Sequence, residues 1–138
     1  MEPKPNKKLL NKQIGNQGEL LAAKYYKNQG FQIIEMNYRQ KLGEIDVIAS
    51  KNSKIHFIEV KTVSYETKAD LEAAVLHGTY RPEENVHDSK LTKLARAIET
   101  WIYAKKWDGD WQIDVVAIRL VPRETYSTIN IIKNVIID

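Results

Sequence analysis

Two runs of strand-forming residues, Gly43 to Ser50 and Lys54 to Thr62, are separated by only three polar residues, Lys51, Asn52 and Ser53. A break that short accommodates a tight turn and little else, so the runs are expected to pair antiparallel as a β-hairpin. With Asn52 and Ser53 as the central turn residues, Lys51 faces Lys54 and Asp46 faces Glu59. Side chains alternate across a strand, which puts Glu44, Asp46, Glu59 and Lys61 on one face, Glu44 opposite Lys61. Ile45, Val47, Ile58 and Val60 then point to the other face and supply packing. A one-residue change in the turn would reassign all of these positions.

The rest of the chain supplies partners for this hairpin. From Asn11 to Gln29, the residues Ile14, Gly18, Leu21, Ala22 and Tyr25 recur with helical period, and Gly30 is a natural stop. Phe31 to Arg39 is rich in strand formers. Val63 to His87 lacks clear periodicity, apart from a short helical piece marked by Leu71, Ala74 and Val75, and Pro82 interrupts it. Beyond the candidate N-cap Asp88, Leu91, Leu94, Ala95, Ile98, Trp101 and Ile102 form a second apolar stripe, with Lys105 and Lys106 at its negative end. Trp111 to Val121 and Tyr126 to Ile136 read as two further strands, joined at Pro122 and Arg123. The order helix, three strands, helix, two strands predicts an α/β sandwich with a mixed sheet and the hairpin at its heart.

Two carboxylates directly opposed on a sheet repel unless something compensates them. A divalent cation would do so, because carboxylate oxygens are hard ligands suited to Mg²⁺ or Mn²⁺, with the Ile58 or Val60 carbonyl or water completing the shell. A lysine beside such an ion can orient a water and neutralise charge developing on phosphorus. Asp46, Glu59 and Lys61 thus have the parts for metal-assisted phosphodiester hydrolysis, although an exposed charge ladder on an edge hairpin has the same spacing. The run Ile55, Phe57, Ile58, Val60 favours the functional alternative, because charged residues in a largely buried strand normally need a purpose.

Charge alone adds little. The net charge of +3 resides in residues 1–12, where Lys4, Lys7, Lys8 and Lys12 outnumber Glu2, while the remaining residues balance. Residues 1–10 read as a basic, flexible arm and residues 11–138 as one domain. The absence of cysteine excludes zinc fingers of the Cys type, disulfide scaffolds and a thiol nucleophile. No apolar run approaches the roughly 20 residues of a membrane span, and no signal-peptide segment follows the polar start, so a cytoplasmic location is expected.

Gly43-Glu44-Ile45-Asp46 followed by Ile58-Glu59-Val60-Lys61-Thr62 resembles the PD-(D/E)XK nuclease superfamily and, within it, the YraN-like family of uncharacterised bacterial proteins. Gly15, Gly18, Glu19, Ala22 and Tyr25 resemble that family's opening helix, and Asn37 and Arg39 its segment before the Gly-Glu-Ile-Asp strand. Asp114-Val115-Val116 and Ile129 to Asn134 resemble its later strands. The resemblance implies a three-layer restriction endonuclease-like sandwich related to archaeal Holliday junction resolvases, with Asp46, Glu59 and Lys61 as catalytic triad. In such resolvases an acid on the first helix joins the metal site, and Glu19 matches it. Val63 departs from the basic residue many members carry after the Lys-Thr pair, and the segment around Thr79 to Glu84 is long.

The expected activity is therefore a Mg²⁺- or Mn²⁺-dependent endonuclease, with Asp46, Glu59 and Glu19 as metal ligands and DNA, branched or structured, favoured over RNA. Lys90, Lys93 and Arg96, on the first turns of the second helix where cations do not help the dipole, join Arg39 as candidate nucleic-acid contacts. The alternative is a non-catalytic nucleic-acid-binding module of the same fold that acts with a partner. Symmetric cutting of a junction would call for a homodimer. Asp114, between Ile113 and Val115, reads as a structural carboxylate, Trp101 as core, and Trp107 and Trp111 as a self-packed turn. His56 alternates away from Glu59, and His77 and His87 have no acidic partner at metal-binding spacing.

Overall fold

The computed structural model of the chain describes residues 7–78 and 88–136. The element order is α1 (Lys7–Asn28), β1 (Gln32–Gln40), β2 (Gly43–Lys51), β3 (Lys54–Ser64), α2 (Lys68–His77), α3 (Asp88–Lys105), β4 (Asp110–Val121) and β5 (Tyr126–Ile132). Helix α1 starts inside the segment expected to be a flexible arm, and Gly30, at φ 92°, ends it as expected. In the β2–β3 turn, Asn52 and Ser53 both have positive φ, 53° and 62°, the backbone that matches the twist of a two-residue hairpin. The pairing is the expected one, from Lys51↔Lys54 to Val47↔Ile58.

The five strands form one sheet in the order β1-β2-β3-β4-β5. Strands β3 and β4 are parallel and every other neighbour pair is antiparallel, so the chain must cross over between β3 and β4, and it does so through α2 and α3. On one face Ala22, Ala23 and Tyr26 of α1 pack on Val47, Ile58, Val60, Val116 and Ile118. On the other, Leu94, Ala97, Ile98 and Trp101 of α3 pack on Ile45, Ile48, Phe57 and Ile113. This is the expected three-layer α/β sandwich. Both apolar stripes read from the sequence reach the core, and Tyr26, which the α1 stripe omitted, is among its most buried residues.

Three expectations need correction. Ile45 does not share a face with Val47: it packs under α3, whereas Val47 packs under α1. The alternation inverts at Asp46, opposite which Asn37 of β1 takes a left-handed backbone at φ 55°, turning Tyr38 to the α3 side and Met36 to the α1 side. The second concerns 63–87, where β3 continues to Ser64, while the expected short helical piece with Leu71, Ala74 and Val75 is α2. Thr67 Oγ1 accepts the Asp70 N–H and Gly78 closes the helix in the left-handed region, so the local capping signals outweigh the weak apolar period. The last strand ends at Ile132 rather than Ile136, because Asn134, at φ 57°, turns the chain inward.

That turn serves a buried carboxylate. Asp114 on β4 is fully buried and accepts from the Tyr26 hydroxyl (2.7 Å), Gln112 Nε2 (2.7 Å) and the Asn134 N–H (3.1 Å), with His56 Nδ1 at 2.8 Å. One side chain therefore ties α1, β3, β4 and the segment after β5 together. Burial would raise its pKa, but the hydrogen bonds, led by His56, hold it below the usual aspartate range. Asp114 is a structural acid, and His56 belongs to it on the face away from Glu59.

Trp101 is core, and the Trp107 indole donates to the Asp110 carbonyl within its own turn. His77 is exposed at the end of α2, while His87 lies outside the described residues. Among the described residues no helix is long and apolar enough to cross a membrane.

Candidate active site

The β2–β3 ladder ends at Val47↔Ile58, one pair short of Asp46 and Glu59. Beyond that point β3 continues alongside β4, while β2 stays with β1. The expected rung between Glu44 and Lys61 is therefore not formed: Glu44 pairs with Arg39 across β1, at 3.6 Å on the exposed lip of a cleft. Asp46 bridges the opening fork, its Oδ2 accepting the Val60 N–H at 2.8 Å. A residue's N–H and C=O leave a strand on the same side, so the Val60 carbonyl also faces the fork.

Asp46 and Glu59 are 8% and 2% exposed. Burial together with the neighbouring Glu59 charge pushes the Asp46 pKa up to about 8. Two lysines answer this acid pair. Lys61 Nζ lies 4.0 Å from Glu59 Oε1, and Lys90 Nζ, from the first turn of α3, lies 2.7 Å from the same atom. Burial and the neighbouring Lys90 hold Lys61 below the usual lysine range. Burial would lower Lys90 as well, but its contact with Glu59 outweighs that and raises it.

Glycine sets how α3 reaches the site. A Cβ on Gly43 would collide with the backbone carbonyl of Lys93, and one on Gly18 would collide with Thr62, next to Lys61. Backbone cannot move aside as a flexible side chain can, so Gly43→Ala is expected to cost about 1–3 kcal/mol and to shift the start of α3. Chemical denaturation and the α3 amide shifts would read the two effects. The glycine that opens the Gly-Glu-Ile-Asp strand is thus a packing requirement, which the sequence signalled only as part of a motif.

The cleft, about 650 Å³, is lined by Arg39, Lys41, Glu44, Glu59, Lys61, Lys90 and Lys93. Of the cations singled out in the sequence, Arg39, Lys90 and Lys93 meet here, whereas Arg96 is exposed on α3 and does not line the cleft. Glu19, on α1, does not line this cleft but lies in two neighbouring recesses, one shared with Val60 and Lys61 and the other with Asn37 and Arg39. Burial raises its pKa, as do the charges of Glu44 and Glu59, against Asn37 and Arg39.

Among the described residues no three acidic or histidine side chains converge as a ready ligand set. The pair itself suits a hard divalent ion. Its donors are carboxylate oxygens, and Glu59 Oε1 is buried without an aligned hydrogen-bond donor, met only by lysine charge.

Residues 18–118 match the model of "Uncharacterised protein family UPF0102". A UPF0102 protein of Campylobacter fetus subsp. fetus is 39% identical over 107 residues, covering 76% of this chain and 82% of that protein. One from Alkaliphilus oremlandii is 36% identical over 118 residues (83% and 92%), and one from Clostridium botulinum 36% over 126 residues (90% and 94%). The matched span runs from Gly18 through both site strands and α3 into β4, so the sequence resemblance and the folded neighbourhood coincide, and the chain belongs to the UPF0102, or YraN, family.

Proposed function

We propose that this protein is a divalent-metal-dependent nuclease that hydrolyses phosphodiester bonds in nucleic acid. The observation that carries this reading is the fork itself. Two adjacent buried carboxylates, Asp46 and Glu59, sit at the fork, and Glu59 and Lys61 line a cleft together with Arg39, Lys41, Lys90 and Lys93. Burying two like charges side by side is costly, and a fold that needed only a sheet would place apolar residues there.

Asp46 and Glu59 are the residues that would hold Mg²⁺ or Mn²⁺, with the Val60 carbonyl available beside them. The ion would supply Lewis-acid stabilisation of the phosphate and a more acidic water. Lys61, on β3 beside Glu59, is placed to orient that water and to offset charge developing on the phosphate. Arg39, Lys41 and Lys93 suit the phosphates flanking the scissile bond, contacts that position a strand without reading its sequence. Glu19, in a neighbouring recess that also reaches Lys61, would act through a water rather than as a direct ligand.

The test is Mn²⁺-dependent cleavage of single-stranded, duplex, flap and four-way-junction DNA, and of RNA, by wild type and Glu59→Ala. Cleavage by wild type that disappears in the variant, with the circular dichroism spectrum unchanged, is the expected result. Metal-independent binding with a steep salt dependence and no cleavage on any substrate would replace the nuclease with a binding module.

A further inference from the structure

The closest charged neighbour of the buried Glu59 is Lys90 rather than Lys61. Its ammonium sits 2.7 Å from Glu59 Oε1, an oxygen with no aligned hydrogen-bond donor. A carboxylate oxygen in direct contact with one cation cannot present the same lone pairs to a second. Glu59 is almost wholly enclosed, whereas the Lys90 side chain is 39% exposed and faces the cleft. Lys90 can therefore leave on its flexible stem and Glu59 cannot follow it.

We infer that Lys90 is a built-in counter-ion that holds Glu59 in the metal-free protein, is displaced by the incoming divalent ion, and is thereby released into the cleft beside Lys93. This rests on the metal-dependent reading of the same site and adds a competition to it. Three features of the fold support an exchange over a fixed ion pair. Lys90 comes from α3, across the cleft from the strand that carries Glu59, so its departure breaks no sheet contact. Lys61 stays on β3 and keeps one positive charge beside the acids after Lys90 has gone. The released ammonium lies one helical turn from Lys93, so the cation that guarded the empty acid pair joins the surface that would meet phosphate.

The test needs no substrate. Mn²⁺ alone is titrated into the full chain, with free Mn²⁺ read by electron paramagnetic resonance, for wild type, Lys90→Met and Glu59→Gln. Removing a competing charge at contact distance should tighten Mn²⁺ binding by about tenfold in Lys90→Met, and Glu59→Gln should abolish it. Weaker or unchanged binding in Lys90→Met, with Glu59-dependent binding in wild type, would overturn the exchange and leave the nuclease reading standing. No Glu59-dependent binding in either wild type or Lys90→Met would overturn both. Should Lys90→Met fail to fold, Mg²⁺ titration of wild type labelled at the lysine side chains gives the same decision. The Lys90 Cε signal, assigned by its loss in Lys90→Arg, must shift and saturate with the metal, and a signal that stays put overturns the exchange.

Discussion

Asp46→Asn is expected to make the metal-free protein more stable while reducing Mn²⁺-dependent cleavage by at least about a thousandfold. The two effects share a cause. Asp46 is nine-tenths buried against a second buried acid, and burial and that neighbour resist its ionisation. An asparagine keeps an oxygen to accept the Val60 N–H, and because it cannot ionise it removes the ionisation that favours the unfolded chain and that the fold resists. The gain should be about 1–2 kcal/mol, or several degrees in melting temperature for a chain of this size. The loss of cleavage follows because a neutral amide is a poor ligand for a hard dication. Calorimetry with a chelator present and a cleavage assay with Mn²⁺ measure the two halves. A variant that is less stable than wild type would mean that the ionised pair is satisfied in the folded protein by its lysines, and that the acids are structural.

Asp114→Ala should act in the opposite sense and strongly, costing about 4 kcal/mol, a large part of the stability of an ordinary single domain. It strands the Tyr26 hydroxyl, the Gln112 amide, the His56 ring and the Asn134 N–H, all of which now converge on one carboxylate. The pH dependence has a definite sign. The folded pKa lies below the unfolded one, so the stabilisation is complete above the ordinary aspartate range, about 4, and is lost as pH falls through the folded value. Urea midpoints should therefore fall more steeply below pH 4 in wild type than in Asp114→Asn. Parallel acid slopes would remove the carboxylate from the acid sensitivity of the fold.

Much of this was written in local patterns. A polar break of three residues dictated the hairpin and its register, and two helical stripes named the layers that cover the sheet. Extending that register by one rung pointed to the acid pair, although the ladder itself stops at Val47 and Ile58 and the two acids interact across the open fork instead. The face inversion at Asp46 was not legible, since it depends on a left-handed asparagine in the neighbouring strand, and asparagine in a strand carries no unique signal of that backbone. Nor was the partner of Lys90. Placed on a helix of its own, it had the same composition signature as Lys93 and Arg96, and only the approach of α3 over Gly43 separates a lysine that contacts an acid from one that faces solvent. The family resemblance pointed to Glu19, and the fold places it beside the cleft, in recesses it shares with Lys61 and with Asn37 and Arg39.

The hairpin ladder stops before the acids begin. The rungs from Val47 to Lys51 hold β2 to β3, and neither Asp46, Glu59 nor Lys61 contributes to them. Foldability and chemistry are thereby uncoupled within a single strand pair. A descendant that exchanged Asp46 for asparagine would still form those rungs, and would form them with less cost at the buried acid pair. Drift alone would erase such residues, so wherever the pair persists among this protein's relatives, use must be what keeps it.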